Sequence, residues 1–165
     1  MHKTYLSMLV ENKSGVLTRI SGLVARRGYN IDSLTVCATE DEKYSRMTLS
    51  FIANDKTISQ IKAQLEKQVE VTKIVELNAQ DSVLRELLLI KINATTSDLS
   101  KVVDIATIYK AKTIDVGNGS ITLELTGRAS KLDSLIEMLA PFGIIELARS
   151  GVSALRRGKN CLREE

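Results

Sequence analysis

Apolar residues along this chain switch between two spacings, and the switches come in the same order twice. Leu6, Met8 and Val10 alternate with Ser7 and Glu11, so Thr4 to Val10 reads as a strand with one buried face. Val16, Ile20, Leu23 and Val24 then fall at helical spacing, and Gly28 stands where a helix gives way to a positive-φ residue. A second strand is predicted from Asn30, with Leu34, Val36 and Ala38 alternating with Thr35, Cys37 and Thr39. Glu40-Asp41-Glu42 makes a turn, and Met47, Leu49 and Phe51 alternate with Arg46, Thr48 and Ser50. Thr57 and Gln60 read as a capping box ahead of Ile58, Ile61 and Leu65. Val69 to Leu77 closes the set, giving strand, helix, strand, strand, helix, strand.

The second half repeats that order with other residues. Leu84, Leu88, Ile90 and Ile92 mark a strand, and Leu99, Val102, Val103 and Ala106 one face of a helix. Thr113 to Val116 and Ile121 to Leu125 flank Gly117-Asn118-Gly119, a hairpin turn signal. Ser130 and Asp133 read as a capping box before Leu132, Leu135, Ile136 and Leu139; Pro141 and Gly143 end that helix, and Ile144 to Ala148 is the last strand. Gln80-Asp81-Ser82 is the expected boundary, dividing the chain into residues 1–79 and 80–165. The repeated order predicts an α+β protein of two ferredoxin-like βαββαβ modules, each an antiparallel sheet with helices on one face. Modules of roughly eighty residues are marginal alone, and their edges and open faces need cover. Leu87 and Leu89 make the Leu88–Ile90 strand apolar on both sides. That pattern predicts a sheet packed against another chain, most simply in a two-fold homodimer.

Composition narrows the function classes. Of 165 residues, 44% are hydrophobic and the formal charge is only +3, without the concentrated basic face of a nucleic-acid protein. RNA-recognition motifs share the strand order, but Ser45 to Ile52 lacks their required pattern of stacking aromatics. The one dense basic cluster, Arg149, Arg156, Arg157, Lys159 and Arg163, reads as a solvated or partner-docking tail. Cys37 and Cys161 lie far apart without CxxC spacing, so neither a disulfide framework nor a metal site is expected. His2, the only histidine, sits at the frayed N-terminus and leaves serine and cysteine nucleophiles without a base. No catalytic residue is therefore expected. The absence of a spanning apolar run or a signal-peptide pattern predicts a cytoplasmic protein.

What remains is the turn Asn12-Lys13-Ser14-Gly15. A helix start offers unsatisfied amides at Gly15 and Val16 that suit a carboxylate, and glycine lets a ligand approach closely. Asn12 and Asn30 carry carboxamides that match an ammonium and a carboxylate without adding net charge. Val16, Leu17 and Ile31 could border a branched aliphatic side chain. Spacing alone leaves plainer readings open: Asn12 or Ser14 could cap the helix, and Gly28-Tyr29-Asn30 could be a helix stop and turn.

Three segments, Leu9-Val-Glu-Asn-Lys-Ser-Gly-Val-Leu, Arg27-Gly-Tyr-Asn-Ile-Asp-Ser-Leu-Thr-Val and Ser45-Arg-Met-Thr, closely resemble the small, regulatory subunits of acetohydroxyacid synthase (acetolactate synthase). Val75-Glu-Leu, Arg85-Glu-Leu, Ile114-Asp-Val, Glu124-Leu-Thr-Gly, Lys131-Leu-Asp and Glu146-Leu-Ala-Arg-Ser-Gly extend the resemblance over essentially the whole chain. The resemblance implies an N-terminal ACT domain and a non-catalytic subunit. Such a subunit activates a large catalytic partner carrying thiamine diphosphate, magnesium and FAD, and confers feedback inhibition by valine in branched-chain amino-acid synthesis. It carries effector contacts over to Asn12, Gly15, Val16, Asn30 and Ile31, with two sites at the interface of paired ACT domains. An ACT-type sensor of another amino-acid enzyme is the alternative. Asn93-Ala-Thr-Thr-Ser97 has no glycine at its helix start, so no second amino-acid site is expected there.

Overall fold

The structure, a computed structural model, describes residues 1–95 and 97–162; Thr96 of the Asn93–Ser97 segment and Arg163 of the basic tail lie outside them. Alternating burial builds the first sheet. Along β1 (His2–Glu11), Leu6, Met8 and Val10 enter one core, while Tyr5 and Leu9 serve a second core on the opposite face. Helices α1 (Val16–Arg26) and α2 (Asp55–Leu65) cover the first face with Val16, Ile20, Val24, Ile58, Ile61 and Leu65. Strands β2 (Ser33–Ala38), β3 (Tyr44–Ala53) and β4 (Val71–Leu77) complete an antiparallel sheet in the order β2-β3-β1-β4. The second strand thus starts at Ser33, three residues after the Asn30 expected from the alternation.

The second sheet repeats the plan. It comprises β5 (Ser82–Asn93), β6 (Lys112–Gly117), β7 (Ser120–Gly127) and β8 (Ile144–Arg149) in the order β6-β7-β5-β8, with α3 (Leu99–Tyr109) and α4 (Ala129–Leu139). The expected hairpin forms: Gly117 pairs with Ser120, and Gly119 adopts φ +81°. Leu88, Ile90 and Ile92 are buried with Leu123, Val102 and Leu135, whereas Leu87 and Leu89 stand on the far face at 38% and 39% exposure.

Both expected capping boxes are displaced. Asn54 already occupies the cap of α2, and its side chain accepts the Thr57 amide at 2.9 Å. Gln60 instead accepts the Tyr29 hydroxyl. The cap of α4 is Arg128, two residues before the expected Ser130, with no side-chain bond, and Asp133 is engaged by Arg149.

The largest correction concerns the tail. The chain divides into one unit of Met1–Leu84 plus the described residues from Gly151 on, and a second of Arg85–Ser150, rather than at Gln80–Ser82. Val152, Ala154 and Leu162 are buried against Leu9, Val75 and Leu77 on the face of the first sheet that the helices leave open. A short strand, β9 (Ser153–Arg156), pairs with β5, whose residues through Leu84 belong to this unit, and the Arg157 amide donates to the Asp81 carbonyl at 2.8 Å. The basic tail is therefore a structural cover as well as a charged surface. Burying such apolar side chains is worth about 1.5–3 kcal/mol each when complete, enough to order a short segment.

Candidate functional site

Asn12 leaves β1 with its backbone amide bonded to the Lys43 carbonyl at 2.8 Å. Its side chain is spent within the chain at both ends. Nδ2 donates to the Glu42 carbonyl at 2.9 Å, and Oδ1 accepts the Ser45 hydroxyl at 3.0 Å. Asn12 therefore ties the turn after β1 to the start of β3, and it caps nothing. Gly15 is the N-cap of α1, at φ +85°, without any side-chain cap bond, and the first turn of α1 holds no acidic residue. The positive end of the helix is left for a ligand or solvent.

Val16 serves differently from the expectation. Its side chain is buried in the core, and its amide makes a long bond of 3.4 Å to the Lys13 carbonyl. Leu17, at 45% exposure, is the apolar side chain left at the helix start. Two cations flank this end: Lys13, held by Glu11 at 2.8 Å, and Arg19, held by Glu70 at 3.0 Å. The Lys13 pKa is raised, chiefly by its hydrogen bond to Glu11 and then by attraction to that carboxylate. In the sequence nothing distinguishes either cation from ordinary surface charges.

Asn30 and Ile31 lie elsewhere. The Gly28 amide closes on the Ala25 carbonyl at 2.9 Å, Gly28 takes φ +72°, and Asn30 follows beyond the C-terminal end of α1. At 1.5 Å per residue, eleven residues separate Gly15 from this end by about 16 Å. One protomer thus brings Asn12 and Gly15 together at one end of α1, and Asn30 and Ile31 together at the other, but does not unite the two pairs. Ile31 is half-buried against the core. Exposed Asn30 lines a cavity of about 200 Å³ with Gly28, Tyr29, Phe51, Asn54 and Ile61. The backbone just beyond is pinned: the Asp32 amide donates to the Ser50 carbonyl at 2.9 Å, Ser50 Oγ donates to Asp32 Oδ2 at 3.1 Å, and Lys3 pairs with Asp32 at 2.7 Å.

Among the described residues no group of three or more histidine, cysteine or carboxylate side chains could hold a metal ion. No described helix is long and apolar enough to cross a membrane.

Residues 85–158 match the family described as the small subunit of acetolactate synthase, and residues 6–73 match the small subunit-like ACT domain of AHAS. An acetolactate synthase small subunit from Mycobacterium bovis is 48% identical over 153 residues, 93% of this chain and 91% of that one. The chain belongs to the acetolactate synthase small-subunit family. A probable acetolactate synthase small subunit from Archaeoglobus fulgidus is 42% identical over 94% of this chain and 98% of its own. The crystal structure of the acetolactate synthase small subunit from Thermotoga maritima superposes with a TM-score of 0.89 at 36% identity, covering 97% of this chain and all of that one. The two ferredoxin-like modules are thus those of this family, whose members serve branched-chain amino-acid biosynthesis, and the first is its ACT domain. A small subunit implies a catalytic subunit as partner.

Proposed function

We propose that this chain is the regulatory subunit of an acetolactate synthase: it binds and activates the catalytic subunit and makes it sensitive to valine. The thiamine diphosphate, magnesium and FAD of the holoenzyme belong to that partner. The observation carrying this reading is the uncapped, glycine-led start of α1, whose amides face a region without a carboxylate in the first helical turn. It suits the carboxylate of a zwitterion, and exposed Leu17 offers an aliphatic neighbour.

The ammonium needs an acceptor as well; at this end the Asn12 oxygen already accepts from Ser45, and the Glu11 and Glu70 carboxylates are paired with Lys13 and Arg19. Asn30 lies past the other end of α1, a helix about 16 Å long. A two-fold pairing of ACT domains reverses α1 against its copy. The Gly15 end of each protomer then meets Asn30 of the partner subunit, making two identical sites. Strand β2, at the edge of its sheet and directly after Asn30-Ile31-Asp32, is the natural side for that pairing.

Valine would then favour one arrangement of the pair, and that arrangement the less active catalytic subunit. The usual coupling is about 1–3 kcal/mol. The deciding experiment assays the purified catalytic subunit with and without this chain across a valine titration. Activation by the wild-type chain, lost progressively with valine, supports the proposal. A catalytic subunit indifferent to the chain, or activated but unmoved by valine, removes the corresponding half of it.

A further inference from the structure

The first unit carries a second concavity, remote in sequence from the helix start. It is a cavity of about 210 Å³ between the face of the first sheet and the returning C-terminal segment, lined by Arg46, Val75, Leu77, Arg156, Lys159 and Leu162 among others. Its floor is apolar, and among the described residues its charged lining is all of one sign, without a carboxylate. A low-dielectric floor strengthens the field of the basic groups that border the concavity.

The basic groups are held by separate devices. Arg46 projects from β3, and its guanidinium donates to the buried Ser7 hydroxyl at 3.2 Å. Arg156 ends β9, and the turn after it is fixed at its start by the Arg157–Asp81 backbone bond and at its far end by Leu162, 4% exposed. Gly158, at φ +75°, turns the chain so that Lys159 borders the same space.

We infer that this cavity is an anion site for a compact phosphate or diphosphate group. Two guanidiniums and an ammonium match a multiply charged oxyanion better than a single carboxylate, because guanidinium pairs bidentately with phosphoryl oxygens. The volume admits such a group. Because one wall is the C-terminal segment itself, an occupied site ties that segment to the sheet. The site is independent of the amino-acid site at Gly15 and Asn30 and does not rest on it.

The test uses the full chain. Inorganic phosphate and diphosphate are titrated separately while the amide signals of Arg156–Leu162 are followed by NMR, with sodium chloride at matched ionic strength as control. In parallel, trypsin cleavage in the Arg156–Lys159 turn is timed. The expected result is a saturable shift with one or both anions, slower cleavage when the site is filled, and binding weakened about tenfold by Lys159→Gln, the loss of one charge-assisted contact. Arg46→Lys, which keeps charge but loses the fork, should also weaken it. A Gly15→Asp chain should bind phosphate normally, which separates this site from the effector site. The inference is overturned if neither anion saturates below about 10 mM, if chloride reproduces the shifts, or if both Lys159→Gln and Arg46→Lys leave the affinity unchanged.

Discussion

Gly151 lies against the backbone of Leu34 so closely that a Cβ there would stand 2.7 Å from the Leu34 carbonyl oxygen and 2.3 Å from the Thr35 hydroxyl. The hydroxyl can swing aside; the carbonyl belongs to β2 and cannot. Gly151→Ala should therefore push the C-terminal segment off the sheet or bend β2, costing about 1–3 kcal/mol. Thermal unfolding of the purified chain should show a clear drop in Tm, where Gly158→Ala, with open space around its Cβ, pays only for its positive φ. Equal effects at the two glycines would contradict the packing argument.

A second prediction follows from the length of α1. Gly15→Asp sets an anion beside the ligand carboxylate at a residue whose φ of +85° already disfavours side chains. Asn30→His removes the paired donor and acceptor at the other end. Each variant alone should still activate the catalytic subunit but resist valine. If the site spans two protomers, a mixed dimer of the two variants carries one doubly altered site and one intact site. Partial valine sensitivity should reappear on mixing, measured as inhibition of the reconstituted enzyme. A mixture as resistant as its parents would argue that each site lies within one chain.

Asn12→Ala tests a positioning role. It removes two hydrogen bonds that join the turn after β1 to β3, one to the Glu42 carbonyl and one from Ser45. Since the group is exposed, the stability cost should be about 1 kcal/mol. The valine response should weaken because the helix start is no longer held. A Ser45→Ala chain, with Asn12 intact, should show a smaller version of the same loss.

Arg149 joins three elements of the second unit: it pairs with Glu86 on β5 and Asp133 on α4, and reaches the Ala129 carbonyl at 3.4 Å. Desolvation, the strongest single influence, disfavours its charge, but the hydrogen bonds and attraction from Asp133 and Glu86 outweigh it, so the pKa is raised above the ordinary guanidinium value. With the folded pKa above the unfolded one, this stability is present throughout the neutral range and is lost only as pH rises through the folded value. Arg149→Met should leave Glu86, 6% exposed, buried without its partner and cost about 2–4 kcal/mol. Adding Glu86→Gln should restore much of it. A denaturant double-mutant cycle reads the coupling, and additive losses would refute it.

Asp98 gives the opposite sign. The Thr95 hydroxyl, at 2.8 Å, and then the Lys101 ammonium, at 3.3 Å, hold its carboxyl below the ordinary 3.8. A depressed folded pKa means stability that is present above the unfolded value and fades as pH falls through the folded one. An NMR titration should find Asp98 below the unfolded-chain value, and Thr95→Ala should bring it back up.

The order of strands and helices was legible because each switch between spacings two and 3.6 is written by residues such as Met8, Val24 and Leu49, whose burial depends only on local geometry. Caps were less legible: in Asn54-Asp55-Lys56-Thr57, two residues compete for one role, and the start of the helical pattern alone does not choose between them. For the candidate site, sequence order suggests one corner for Gly15 and Asn30, whereas helix rise places them at two ends of α1. The return of the tail was not legible at all. Val152, Ala154 and Leu162 are few, scattered among arginines and lysines, and their partners Leu9 and Val75 lie on strands whose other face already explains their pattern.

That return makes the second unit an insertion within the first. On the ribosome, β1 to β4 emerge early, yet the residues that shield Leu9, Val75 and Leu77 are made only after all of Arg85–Ser150. The nascent ACT sheet must therefore wait with one greasy side bare while an entire neighbour is synthesised, so a ribosome stalled in β8 would display a sticky intermediate that the finished polypeptide never shows.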